Sequence, residues 1–130
     1  MLFRSPESAI KAIAQGWKED PDTLPWLKDR ALQDEHWDVK RAAVFAIAQY
    51  WKEDPELFNF FANIALNDPF KREDNWQTNP RQTALKALLK NFSNNPKTLE
   101  IFNQVALNDS DKRLREFAVQ KLQDLKQANP

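Results

Sequence analysis

Cysteine is absent from this chain, which excludes disulfides and thiolate-held metal sites within it. Glycine occurs once, at Gly16. Phosphate-cradling loops and tight β-turns draw on several glycines, so both a nucleotide-binding α/β fold and an all-β fold are disfavoured. Histidine also occurs once, at His36, which leaves little for acid–base catalysis. The 19 basic and 19 acidic residues cancel, so the overall positive field of a typical nucleic-acid binder is missing. No stretch approaches the roughly 20 apolar residues of a membrane span. The start, Met1 to Glu7, carries no signal-peptide pattern. The expectation is a cytoplasmic protein with no membrane, metal or cofactor partner.

What is present suits one helical domain. A chain of 130 residues, 42% hydrophobic, is long and apolar enough to bury a core. Ala, Leu, Lys, Gln and Glu are abundant, and all favour helix.

Internal repetition is the most informative pattern. Trp17-Lys18-Glu19-Asp20-Pro21 recurs as Trp51-Lys52-Glu53-Asp54-Pro55, and in degraded form as Phe92-Ser93-Asn94-Asn95-Pro96. A second motif interleaves with it: Ala31-Leu32-Gln33-Asp34, Ala65-Leu66-Asn67-Asp68 and Ala106-Leu107-Asn108-Asp109. Both motifs step by 34 residues and then by 41, so 7 extra residues lie between Asp68 and the next helix.

Each unit reads as two helices, A then B. The Asp-Pro and Asn-Pro pairs at Asp20, Asp54 and Asn95 place a capping side chain before a proline at the first helical position. In the first full unit, Pro25 is tolerated only early in a helix, which allows a start at Thr23 instead. The remaining A helices are expected over 56–66 and 96–107. B helices are expected over 39–51, from Asn79-Pro80 to Phe92, and over 111–127, with apolar residues at helical spacing. The segment opened by Ser5-Pro6 is a B helix without its A helix. The units are a half repeat over 5–18, repeats over about 20–51, 54–92 and 95–127, and a loop insertion over 69–78.

Asp38-Val39-Lys40-Arg41-Ala42-Ala43-Val44-Phe45-Ala46-Ile47 resembles the opening of helix B in HEAT repeats, where Asp, then Val-Arg, then a small-residue pair recur. Leu114-Arg115-Glu116-Phe117-Ala118-Val119 matches loosely, and Pro80-Arg81-Gln82-Thr83-Ala84-Leu85 departs by placing proline at the Val position. The resemblance spans nearly the whole chain. It implies an all-α, right-handed α-α superhelix, a HEAT-like solenoid of about three and a half helical-hairpin repeats. The Trp-Lys-Glu-Asp-Pro element with Thr23 to Ala31 is similar to HEAT arrays of bacterial NACHT-type NTPases. A Walker A motif is missing, so any such NTPase would be another part of a longer protein. Tetratricopeptide repeats also step by 34 residues, but their Trp/Leu-Gly/Tyr pattern is absent.

In HEAT solenoids the B helices line the concave face. That arrangement implies a row pointing into the concavity, formed by Lys11, Phe45, Lys86 and Gln120, with Arg41, Gln49, Gln82 and Lys90 beside it. A row of this kind is either a binding surface or a solvated helix face, and Phe45, an aromatic among polar residues, favours binding. The insertion is a second candidate, through Phe70 and Trp76. Trp76 could instead replace Trp37 in covering an inter-helix corner.

Other repeated positions read as structural. Trp17, Trp51 and Phe92 are expected to plug the seams between units. Lys40, Arg81 and Arg115, with Asp34, Asp68 and Asp109, resemble the Asp–Arg ladder that ties HEAT units together; a phosphate-binding row is the rival. His36 sits beside Asp34, Glu35 and Asp38 and reads as a solvated turn residue, since a metal site needs several converging ligands. Lys121 and Lys126 replace the apolar residues of sister helices, as a terminal cap requires, so the array is expected to end here. Leu2 and Phe3 form a lid or the cut edge of a longer array.

The leading expectation is a non-catalytic protein–protein interaction scaffold, free-standing or part of a larger signalling or defence protein. Nucleic-acid binding along the basic concave row is the alternative, as in some HEAT-like proteins. A phycobilin-lyase-like HEAT protein is a second alternative, and no residue argues for it directly.

Overall fold

Short polar side chains and prolines set where the helices begin. In the computed structural model, which describes residues 5–128, seven α-helices follow one another and the described residues form no strand. They are α1 (Pro6–Gly16), α2 (Thr23–Gln33), α3 (Trp37–Tyr50), α4 (Leu57–Asn67), α5 (Pro80–Asn91), α6 (Pro96–Asn108) and α7 (Lys112–Ala128). Leu2 and Phe3 lie outside the described residues.

The Ser5, Asn79 and Asn95 side chains accept backbone N–H groups of Ser8, Arg81 and Lys97 at 3.2, 2.9 and 2.9 Å. A proline fills the next position in each case, where its missing N–H has no intrahelical partner to lose. Asp20 and Asp54 behave differently from the expectation. Their carboxylates do accept the N–H groups of Asp22 and Glu56, at 2.9 and 3.0 Å. An extra turn then intervenes, closed by Thr23 N–H to the Asp20 carbonyl and Leu57 N–H to the Asp54 carbonyl. Helix therefore starts at Thr23 and Leu57, and Pro25 stays within the first turn of α2.

Asp34, Asp68 and Asp109 end α2, α4 and α6. Each carboxylate turns the chain by accepting the N–H two residues on, from His36, Phe70 and Asp111, at 2.9, 3.0 and 2.8 Å. That local chemistry explains why aspartate closes all three Ala-Leu-x-Asp motifs.

The odd-numbered helices pack in series, α1 on α3, α3 on α5 and α5 on α7. Each even-numbered helix packs on the odd-numbered one that follows it, and α4 also meets α6. The core between them holds Leu27, Val44, Ile47, Phe61, Leu85, Leu88, Phe102 and Leu114, all fully buried. Burying each such side chain contributes roughly 1.5–3 kcal/mol.

Trp51 and Phe92 pack half-buried on this core, and Phe92 meets Phe58 and Phe61 edge-on at 5.5 and 6.4 Å between centroids. Trp17 does not share that burial: it is 60% exposed. Phe58 and Phe61 belong to α4, the helix before α5; no described helix precedes α1, so nothing supplies the matching wall. Two buried threonines add hydrogen bonds that the apolar pattern did not suggest. Thr23 and Thr98 donate to the carbonyls of Trp17 and Phe92 at 2.6 and 2.7 Å, satisfying the C-terminal ends of α1 and α5. Asn91 donates to the Ala48 carbonyl at 2.9 Å, joining α5 to α3.

Candidate interaction surface

The ladder positions come first, because they decide which charges remain for a ligand. Lys40 on α3 reaches the Asp68 carboxylate at 2.9 Å. Arg81 on α5 holds Asp109 through two parallel bonds, Nε at 2.8 Å and Nη2 at 2.9 Å, and its Nη1 donates to the carbonyls of Asp68 and Phe70 at 2.6 and 3.0 Å. Both rungs span 28 residues and are nearly dry, and Lys40 and Arg81 are therefore absent from the exposed row. Arg115 on α7 keeps the carbonyl bond, to Asp109 at 2.7 Å, and has no carboxylate partner among the described residues. Asp34 stands at the other end of the series. Burial pushes its carboxyl up, but hydrogen bonds from His36 and the charge of Arg30 outweigh this and hold it below the ordinary value. The His36 ring itself is exposed, with Nδ1 3.3 Å from Asp34. Among the described residues no three acidic or histidine side chains converge on a metal-sized site.

The 69–78 insertion is strapped down. Arg72 pairs with Asp111 at the start of α7 at 2.9 Å, and its Nη1 donates to the Gln77 carbonyl. Asn79, fully buried, donates to the same Asp111 at 3.0 Å, and Arg113 donates to the Asn75 carbonyl. Burial raises the Asp111 carboxyl; the Arg72 and Asn79 hydrogen bonds, the Arg72 charge and the Arg113 N–H lower it further than burial raises it. Gln77 closes the loop by accepting the N–H groups of Glu73 and Asp74. Neither Arg72 nor Asp111 was singled out in the sequence. Their separation of 39 residues leaves no local signal; only the excess length of the loop hinted that something must hold it.

This strap positions the two aromatic candidates differently. Phe70 is half-buried beside Arg72, and its carbonyl serves Arg81. Trp76 is 71% exposed and meets Trp37 edge-to-face at 5.7 Å. Trp76 therefore joins Trp37 at the corner and does not replace it. Arg41 lies over the other side of this pair, 6.0 Å from the Trp37 ring, and reaches Glu7 at 3.5 Å. Trp76 also shares a cavity of about 460 Å³ with Gln82 and Phe117.

Along the odd-numbered helices, Phe45 is 50% exposed and lines an approximately 290 Å³ cavity with Lys11, Gln49 and Tyr50. Lys86 is exposed and lies 5.8 Å over the Phe117 ring, so part of its charge is already engaged. Gln120 is exposed and bonds to Asp124, and Lys90 is exposed. The structure thus brings Lys11, Phe45 and Gln49 together at one cavity and Gln82 with Trp76 at another. Phe70, Lys90 and Gln120 join neither cavity. Phe117, which sequence reasoning passed over, links Trp76 to Lys86. Comparison with family models, with curated proteins and with solved structures returned no match.

Proposed function

We propose that this chain is a HEAT-like α-solenoid of about three and a half helical-hairpin repeats acting as a non-catalytic protein-interaction scaffold. Serial packing of the odd-numbered helices and two ion-pair rungs at one constant spacing support the architecture. The observation that carries the function is the pair of exposed aromatics, Phe45 and Trp76, each mounted on rigid structure beside a polar cavity. Large aromatics held rigidly lose little conformational freedom on binding and make efficient anchors. The partner is a protein surface offering apolar side chains to the two cavities and carboxylates to Lys11, Lys86 and Lys90.

The same geometry weighs against nucleic acid. Lys40 and Arg81 are consumed by the ladder, Arg41 is paired with Glu7, and Lys86 lies over Phe117. Too few cations remain in a row to neutralise a run of phosphates.

The test is affinity capture from the source cell's lysate with wild type and a Phe45→Glu, Trp76→Ala double variant, both checked for helical content and melting temperature. A protein partner retained by wild type and lost by the variant, at unchanged stability, is the expected result. Equal capture by both, or tight salt-sensitive binding of a duplex DNA probe, would overturn the reading.

A further inference from the structure

The outer face of α6 and α7 differs from every other helix face in the molecule by what it leaves uncovered. Leu107 is 79% exposed, Leu99 43% and Val119 41%. With Leu122 and Ala106 they line an open groove of about 770 Å³. Their counterparts one unit earlier, by the 41- and 34-residue steps, are Leu66, Phe58, Leu85, Leu88 and Ala65. Those five are buried or half-buried in the core. They sit in α4 and α5, the pair on which α6 and α7 pack. The groove is therefore the surface that, one unit earlier, takes a helix.

A second, independent observation says what kind of helix. Lys40 and Arg81 each pair with the aspartate capping the C-terminus of the next even-numbered helix, Asp68 and Asp109. Arg115 occupies the same position on α7. It repeats the carbonyl bond that Arg81 makes, Nη1 to the preceding aspartate's backbone oxygen. Its Nε and Nη2, which in Arg81 form the two-pronged bond to Asp109, make no hydrogen bond to any described residue. The fork is already oriented by the Asp109 carbonyl, so a carboxylate loses little freedom in meeting it.

We propose that the α6/α7 face is a docking site for an amphipathic helix supplied by a partner protein, whose C-terminal capping aspartate pairs with Arg115. The apolar side of that helix fills the groove over Leu99, Leu107, Val119 and Leu122, as α6 covers the preceding pair. Lys126, exposed at the groove rim, favours an acidic residue nearby. This site is separate from the Phe45 and Trp76 surface; it rests on the repeat equivalence alone.

The probe is a helix-stabilised peptide of residues 95–109, the segment that performs this role on α4 and α5. It is titrated into the full chain and followed residue by residue with NMR. Expected is saturable binding with shifts at Leu107, Arg115 and Val119. Arg115→Gln in the protein, or Asp109→Asn in the peptide, weakens it roughly tenfold, as for a charge-assisted bond, and the two together no more than either alone. Leu107→Lys, at a position too exposed to matter for folding, also weakens it, and Phe45→Glu leaves it unchanged. Absence of binding at millimolar peptide, shifts elsewhere, or an Arg115→Gln protein that binds as well as wild type would each overturn the proposal. So would a homodimer in sedimentation equilibrium that Leu107→Lys dissolves, since the occupant would then be a second copy.

Discussion

Arg81 and Arg115 stand at the same position of the same motif, one on an inner helix and one on the outermost, and only the inner one closes its ion pair. The aromatics behave likewise: Phe92 is walled in by α4, and Trp17 stands in solvent. The lesson is that a residue's energetic role in this chain is set by what the neighbouring pair of helices covers. The inner pairs hold the stability, and the outer ones hold surface left over for contact.

The largest expected contrast lies in the aromatic positions. Phe61→Ala, at a fully buried site, is expected to cost about 3–5 kcal/mol in urea denaturation, whereas Trp17→Ala is expected to cost under about 1 kcal/mol. Equal losses would break the distinction between inner and outer units. Next come the ladder arginines. Arg81→Ala strands Asp109 in a dry site and is expected to cost about 3–5 kcal/mol, against under about 1 kcal/mol for Arg115→Ala, read from the same denaturation curves.

A smaller effect sharpens the comparison at the insertion. Arg72→Ala removes the strap between the loop and α7, with an expected cost of about 1–3 kcal/mol. Hydrogen exchange should rise over residues 69–78 and stay slow in α3 and α5. The smallest effect is acid sensitivity. The Asp111 carboxyl is depressed in the folded chain, so its contribution is present above the ordinary carboxylate range and is lost as pH falls below about 4 through the depressed value. Trp76 emission should change in that window ahead of global unfolding, and Asp111→Asn should abolish the early step. Asp34 titrates in the same direction but lies apart from the Trp76 indole, so it should not contribute to that signal.

Much of the helical layout was legible along the chain. Ser5-Pro6, Asn79-Pro80 and Asn95-Pro96 announce their helices, and apolar spacing placed Leu27, Phe61, Leu88 and Phe102 on inner faces. Of the candidate surface, Phe45 and Lys11 were found by position in the repeat and share a cavity. Phe117, Arg72 and Asp111 were not, because their roles depend on side chains about 40 residues away.

The sequence by itself determined an all-helical chain, its capping residues and the positions at which charges and aromatics recur, because these depend on interactions within about one helical turn. Only the tertiary structure decided which copy of each recurring residue is satisfied. Burial and ion pairing need a partner surface, and the same Arg or aromatic becomes core or contact according to whether another helix lies across it.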